Sequence, residues 1–120
     1  MIPDCAAVVF HVSDLEAAIA YYTEVLGFSP DFRYGGYAGL QFGKVLLHLS
    51  DAGEQGLKRP VGGGHVCVFC DEVDDYHRDI MSKGAHVLVA PADRPYGMRD
   101  FALEDKDGNV LVFGHGIAIS

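Results

Sequence analysis

The chain constrains its own fold by repeating itself. A shift of 58 residues carries Val12-Ser13-Asp14-Leu15 onto Cys70-Asp71-Glu72-Val73, Tyr22 onto Ile80 and, one residue short, Leu26-Gly27-Phe28 onto Lys83-Gly84-Ala85. In each copy an apolar run meets a polar stop and then a helical pattern, so one supersecondary unit is used twice. Between the copies lies Asp51 to Gly63, a stretch rich in glycine and charge that reads as a surface linker.

In the first copy Cys5 to Val12 reads as a buried strand, with Ala7, Val9 and His11 on one face and Val8, Phe10 and Val12 on the other. Ser13 with Glu16 resembles a capping box, and Leu15, Ala18, Ile19, Tyr22 and Leu26 recur at helical spacing up to Gly27, which predicts a helix over 14–26. Phe28 to Tyr34, Tyr37 to Phe42 and Val45 to Ser50 are strand-like and are divided by Gly35-Gly36 and Gly43-Lys44, as in an antiparallel meander. In the last of them Leu46, His48 and Ser50 share one face, and Val45, Leu47 and Leu49 form the apolar face that should carry the helix.

The second copy predicts a strand from His65 to Cys70 and a helix from about Glu72 to Lys83 with Val73, Tyr76, Ile80 and Met81 inward. A strand from His86 to Ala90, a loop from Pro91 to Met98, and strands from Arg99 to Glu104 and Val110 to His115 around a turn at Asp105 to Asn109 complete it. The expected class is therefore α+β: one domain of two tandem βαβββ modules, about residues 4–50 and 64–116, joined by a linker over 51–63. One module alone leaves a sheet face bare, so two should pair around a curved cavity, within a chain or across a dimer.

Seventeen acids against nine bases give a formal charge of -8, which repels phosphate backbones, argues against nucleic acid and favours a cationic ligand. No apolar run approaches the roughly 18 residues of a membrane span. Met1-Ile2-Pro3-Asp4 has no basic segment leading into an apolar one, and with three cysteines the expected location is cytoplasmic. Cys67-Val68-Phe69-Cys70 has the spelling of a redox or zinc motif, but residues three apart on a strand face opposite sides. Gly62-Gly63-Gly64 precedes a strand, not a helix, so it is not a phosphate loop, and no nucleophile-elbow motif is present.

Two longer stretches carry a family likeness. One runs from Val12 to Phe28 with Asp14-Leu15, Tyr21-Tyr22 and Leu26-Gly27-Phe28; the other runs from Pro95 to Gly114 with Tyr96-Gly97, Arg99, Phe101-Ala102-Leu103 and Asp105-x-x-Gly108-Asn109. Together they resemble the vicinal oxygen chelate superfamily of glyoxalases, bleomycin-resistance proteins and extradiol dioxygenases, and the second stretch is most similar to the bleomycin-resistance branch. The resemblance implies a homodimer with a small molecule in the cavity. In metal-dependent members it implies four ligand positions, which fall here on Ala7, His48, His65 and Val112.

Only the two histidines carry a donor, whereas a catalytic divalent ion takes at least three protein ligands. The preferred expectation is binding and sequestration of a hydrophobic or aromatic antibiotic, without catalysis and without a cofactor. In that reading His11, His48 and His65 orient the ligand by hydrogen bonds, and Tyr34, Tyr37, Phe69 and Tyr96 stack on it. Cys67 lines the cavity, Arg99 orders a loop, and Phe42 and Phe101 join the aromatic grouping, with Asp31, Asp93 and Asp100 near the rim. The alternative is a lyase, isomerase or dioxygenase using one divalent metal ion held by His48 and His65 with Glu104 or His11.

Overall fold

The computed structural model describes residues 1–51 and 59–118. Its first module runs through β1 (Ala7–His11), α1 (Leu15–Ala20), β2 (Ser29–Tyr34), β3 (Tyr37–Phe42) and β4 (Val45–Ser50). The second runs through β5 (His65–Phe69), α2 (Val73–Ser82), β6 (His86–Asp93), β7 (Met98–Glu104) and β8 (Val110–Gly116). The two sheets have the same order, β1-β4-β3-β2 and β5-β8-β7-β6. In each, the first strand pairs parallel with the last and the remaining pairs are antiparallel. The fold is α+β, built from two βαβββ modules. Most of the expected linker, residues 52–58, lies outside the described residues.

Five local expectations are corrected. The first helix is capped by Asp14, whose side chain accepts from Ala17 N, while Ser13 donates to Asp107 Oδ1 instead of forming a capping box. After Ala20 the helix widens into a π turn over Tyr21–Val25, closed by Leu26 N donating to Tyr21 O. Both Tyr21 and Tyr22 are buried there, although helical spacing placed only Tyr22 inward. In α2 the inward side is held by Val73 and Ile80, and Met81, one residue further round, is half exposed. β6 continues through Pro91 instead of ending at Ala90. It is an edge strand, and its register shifts twice against β7, so the missing proline N–H interrupts no ladder that the sheet depends on.

Each sheet buries one face against its helix: Phe10, Val12, Leu47 and Leu49 in the first module, Phe101, Leu103, Leu111 and Phe113 in the second. Each such side chain contributes about 1.5–3 kcal/mol on removal from water. The helical layers of the two modules meet, so that these residues belong to one continuous core. Tyr76 of α2 donates to Leu26 O at the end of the first helix, and its ring lies 5.7 Å from Phe42.

A buried polar key fixes the junction. Asp105 and Asn109 are 4% and 0% exposed. The carboxylate of Asp105 accepts from the Tyr22 hydroxyl at 2.8 Å, from the backbone N–H groups of Asp107 and Asn109, and from Asn109 Nδ2. Asn109 in turn donates to His11 O and accepts from Gly64 N. Gly62 passes the same turn at φ +78°, where a Cβ would stand 1.9 Å from Asp107 O; only glycine fits. With the helical layers and this key between the modules, the helix-free faces of the two sheets are not laid over one another within the chain, and they carry Phe32, Tyr34, Phe69 and Tyr96 exposed.

Candidate functional site

One candidate surface is the helix-free face of the first sheet. Strand register sets Val9, His48, Gly39 and Phe32 in one row across it. A Cβ on Gly39 would lie 2.1 Å from Phe32 Cε2, so the absence of a side chain lets the Phe32 ring settle on the backbone. There it stacks on Tyr37 at 6.2 Å and meets His48 edge-on at 5.2 Å. Tyr37 Oη and His48 Nδ1 are 2.8 Å apart. When the hydroxyl donates in that pair, the neutral imidazole carries its proton on Nε2, and a donor is presented away from the tyrosine.

The next row holds His11, Ser50, Tyr37 and Tyr34. His11 is buried to 7% exposure, and its Nε2 has no hydrogen-bond partner among the described residues. Tyr34 stands 78% exposed at the edge. Phe32 was absent from the expected set. The signal that would have found it is its position two residues before Tyr34 on the same face, opposite a glycine.

A second candidate surface is a hollow of about 450 Å³ on the helix-free face of the second sheet, with Cys67 and Phe69 of β5, Val112 of β8, Met98 and Asp100 of β7, and Tyr96 around it. Cys67 and Phe69 are exposed, as strand alternation requires, and all three cysteines are free. Tyr96 overhangs the hollow from the β6–β7 loop. Its hydroxyl donates to Asp100 Oδ2, and Arg94 Nε donates to Asp100 Oδ1 at 2.8 Å, so one carboxylate latches the loop at two points. Burial would raise the Asp100 carboxyl, but these donors outweigh it and hold the group below its usual range. The same hydrogen bond keeps the Tyr96 hydroxyl protonated to higher pH than usual.

His65 is exposed at the margin of this hollow. Glu104 shares its face two strands away and is 2.8 Å from His86 Nδ1. Arg99, expected among the ligand-binding residues, alternates with Asp100 and turns to the opposite face. There it forms a bidentate pair with Asp74 of α2 at 2.8–2.9 Å and a further pair with Asp93. Phe101 is likewise core, fully buried.

Among the described residues, the side chains at the expected ligand positions do not assemble a catalytic metal site within one chain. Ala7 and Val112 offer no donor atom, and His48 and His65 stand on different sheets. Among the described residues no group of three His, Cys, Asp or Glu side chains lies close enough to share an ion. No helix among the described residues is long and apolar enough to cross a membrane.

Comparison with known proteins places this geometry. A bleomycin resistance protein of Geobacillus stearothermophilus is 26% identical over 117 residues, covering 85% of this chain and 89% of that protein. The bleomycin-binding protein of Streptomyces verticillus, solved with copper(II)-bleomycin, superposes with a TM-score of 0.76 at 22% identity, covering 97% of this chain and 99% of that one. A lactoylglutathione lyase of Agrobacterium tumefaciens superposes with a TM-score of 0.76 at 25% identity, covering 95% of each chain. The model of the Glyoxalase/Bleomycin resistance protein/Dioxygenase superfamily matches residues 5–113, and the chain belongs to that superfamily.

Proposed function

We propose that the protein binds and sequesters a small hydrophobic or aromatic molecule, most simply a bleomycin-like antibiotic, and releases it chemically unchanged. The observation that carries this reading is the pairing of an aromatic hollow at Cys67, Phe69 and Tyr96 with a Phe32-Tyr37-His48 cluster that presents hydrogen-bonding groups. Flat apolar walls with a few polar groups suit a planar heteroaromatic ligand. The likeness to a bleomycin resistance protein supports the ligand class.

The two half-sites belong together through a second copy. β1 and β5 are both edge strands, and both helix-free faces expose large aromatics, so a homodimer in the cytoplasm would set the His48 face of one protomer opposite the Phe69 face of its partner. In that assembly His48 and His65 supply directional hydrogen bonds, His11 Nε2 offers a further group at the floor, and Tyr34 and Tyr96 close over the ligand. Calorimetric titration with metal-free bleomycin, followed by mass spectrometry of the recovered drug, tests the reading. Saturable binding of unchanged drug, weakened tenfold or more by Phe69→Ala and by Tyr96→Ala, is expected; turnover of the drug, or a heat signal indifferent to both variants, defeats it.

A further inference from the structure

A second cavity, of about 570 Å³, lies on the seam between the modules and away from the latched β6–β7 loop. Its volume falls within the range of small-molecule sites. The floor is aromatic: Phe28, Phe42, Tyr76 and Phe113 line it, with Phe42 at 5.3 Å from Phe28 and 5.7 Å from Tyr76, and Tyr76 at 4.8 Å from Phe113. The Tyr76 hydroxyl is already spent on Leu26 O, so what the cavity receives from this residue is ring surface.

One wall is acidic. Asp71, Glu72 and Asp75 line it at the start of α2, against a single Lys44 on the opposite lip. Asp75 is paired with Arg78, whereas Asp71 and Glu72 form no ion pair among the described residues. Ring faces attract cations, and unpaired carboxylates beside a partly dry aromatic floor do so more strongly than in open water. An anion would meet the same wall as repulsion, and a neutral ring would gain only the floor.

We propose that this seam is a second binding site, for a flat aromatic cation, distinct from the sheet-face site. It is lined by both modules, so its ligand spans the junction that the Asp105 key holds together. Phe69, which also walls the sheet-face hollow, stands between the two sites.

The test uses 10-methylacridinium, a permanent cation, against neutral acridine at pH 8, with the full chain at its native oligomeric state. Saturable binding at one methylacridinium per chain is expected, with amide shifts at residues 42–45 and 70–76, and with acridine bound roughly tenfold more weakly. The exposed pair Asp71→Asn with Glu72→Gln, whose folding is checked by its amide spectrum, should cost the cation about tenfold and leave acridine unchanged. Equal affinity for the two dyes, shifts centred on residues 37, 48, 67 and 96, coverage of the seam by a second copy, or no binding overturns the proposal. The result is separable from the sequestration reading: bleomycin bound without the cation sinks only this inference, and the cation bound without bleomycin sinks only the other.

Discussion

Replacing Tyr22 by phenylalanine removes one oxygen from the centre of the molecule. Tyr22 is fully buried, and its hydroxyl is one of four donors on the Asp105 carboxylate, itself 4% exposed. A hydrogen bond to a charged group is worth about 1.5–3 kcal/mol net, and three donors remain, so Tyr22→Phe should cost about 2 kcal/mol at pH 7. For 120 residues the unfolding entropy of about 2.1 cal/mol/K per residue converts this to a fall of about 8 °C in Tm. Urea unfolding at pH 7 measures it directly.

Alkaline pH provides a second and independent readout. The hydroxyls of Tyr21, Tyr22 and Tyr76 are all pushed up from the usual tyrosine range, chiefly by burial and then, for Tyr22, by the Asp105 charge. A pKa raised on folding stabilises fully below the unfolded value and is lost as pH climbs above it, so the window opens at about pH 10 and extends upward. With Tyr22 and Tyr76, the two most strongly shifted, ionised only in the unfolded chain, stability should fall by about 2.7 kcal/mol per pH unit. Tyr22→Phe leaves one of them, and the slope should drop to about 1.4. A loss under about 0.5 kcal/mol at pH 7 together with an unchanged alkaline slope would falsify the account of Tyr22 as part of the junction key.

Two other substitutions probe the face and the helix entry. Gly39→Ala places a Cβ where the Phe32 ring now lies, so the ring must swing outward; the variant should lose about 1 kcal/mol of stability by thermal unfolding and bind bleomycin more weakly, and full affinity would show that Phe32 is no part of the site. Glu72 holds φ +46° at the start of α2 with no side-chain capping bond, a left-handed conformation that costs a non-glycine residue about 1–2 kcal/mol. Glu72→Asn, a residue that tolerates that region, should gain about 0.5–1 kcal/mol in urea, and an unmoved or lower midpoint contradicts the assignment of strain.

The legible part of this chain was the part encoded by spacing. The offset of 58 residues announces two modules, and alternation correctly separates Cys67 from Cys70 and His48 from Leu47 and Leu49, because a strand has only two faces to choose between. What alternation leaves undecided is which layer meets which. Asp105 and Asn109 have the composition of an exposed hairpin turn, yet they are buried, because their partners Tyr22, His11 and Gly64 arrive from 45 or more residues away. Arg99 shares the helix side with Phe101 and Leu103, as alternation along the strand dictates, but its partner there, Asp74, stands on a helix that no local pattern brings near. The Gly-Gly-Gly run marked a break, and its first glycine proves to be a contact point with the Asp107 backbone.

The two faces of each sheet have separate duties, and this bears on how such a protein diversifies. The helix sides and the Asp105 key hold the chain folded, whereas Phe32, Tyr34, Phe69 and Tyr96 stand on faces from which a side chain can be exchanged at little expense to the core. Specificity on this scaffold can therefore drift from one ligand to another through surface substitutions, each nearly neutral for folding, while the frame that aims them stays unaltered.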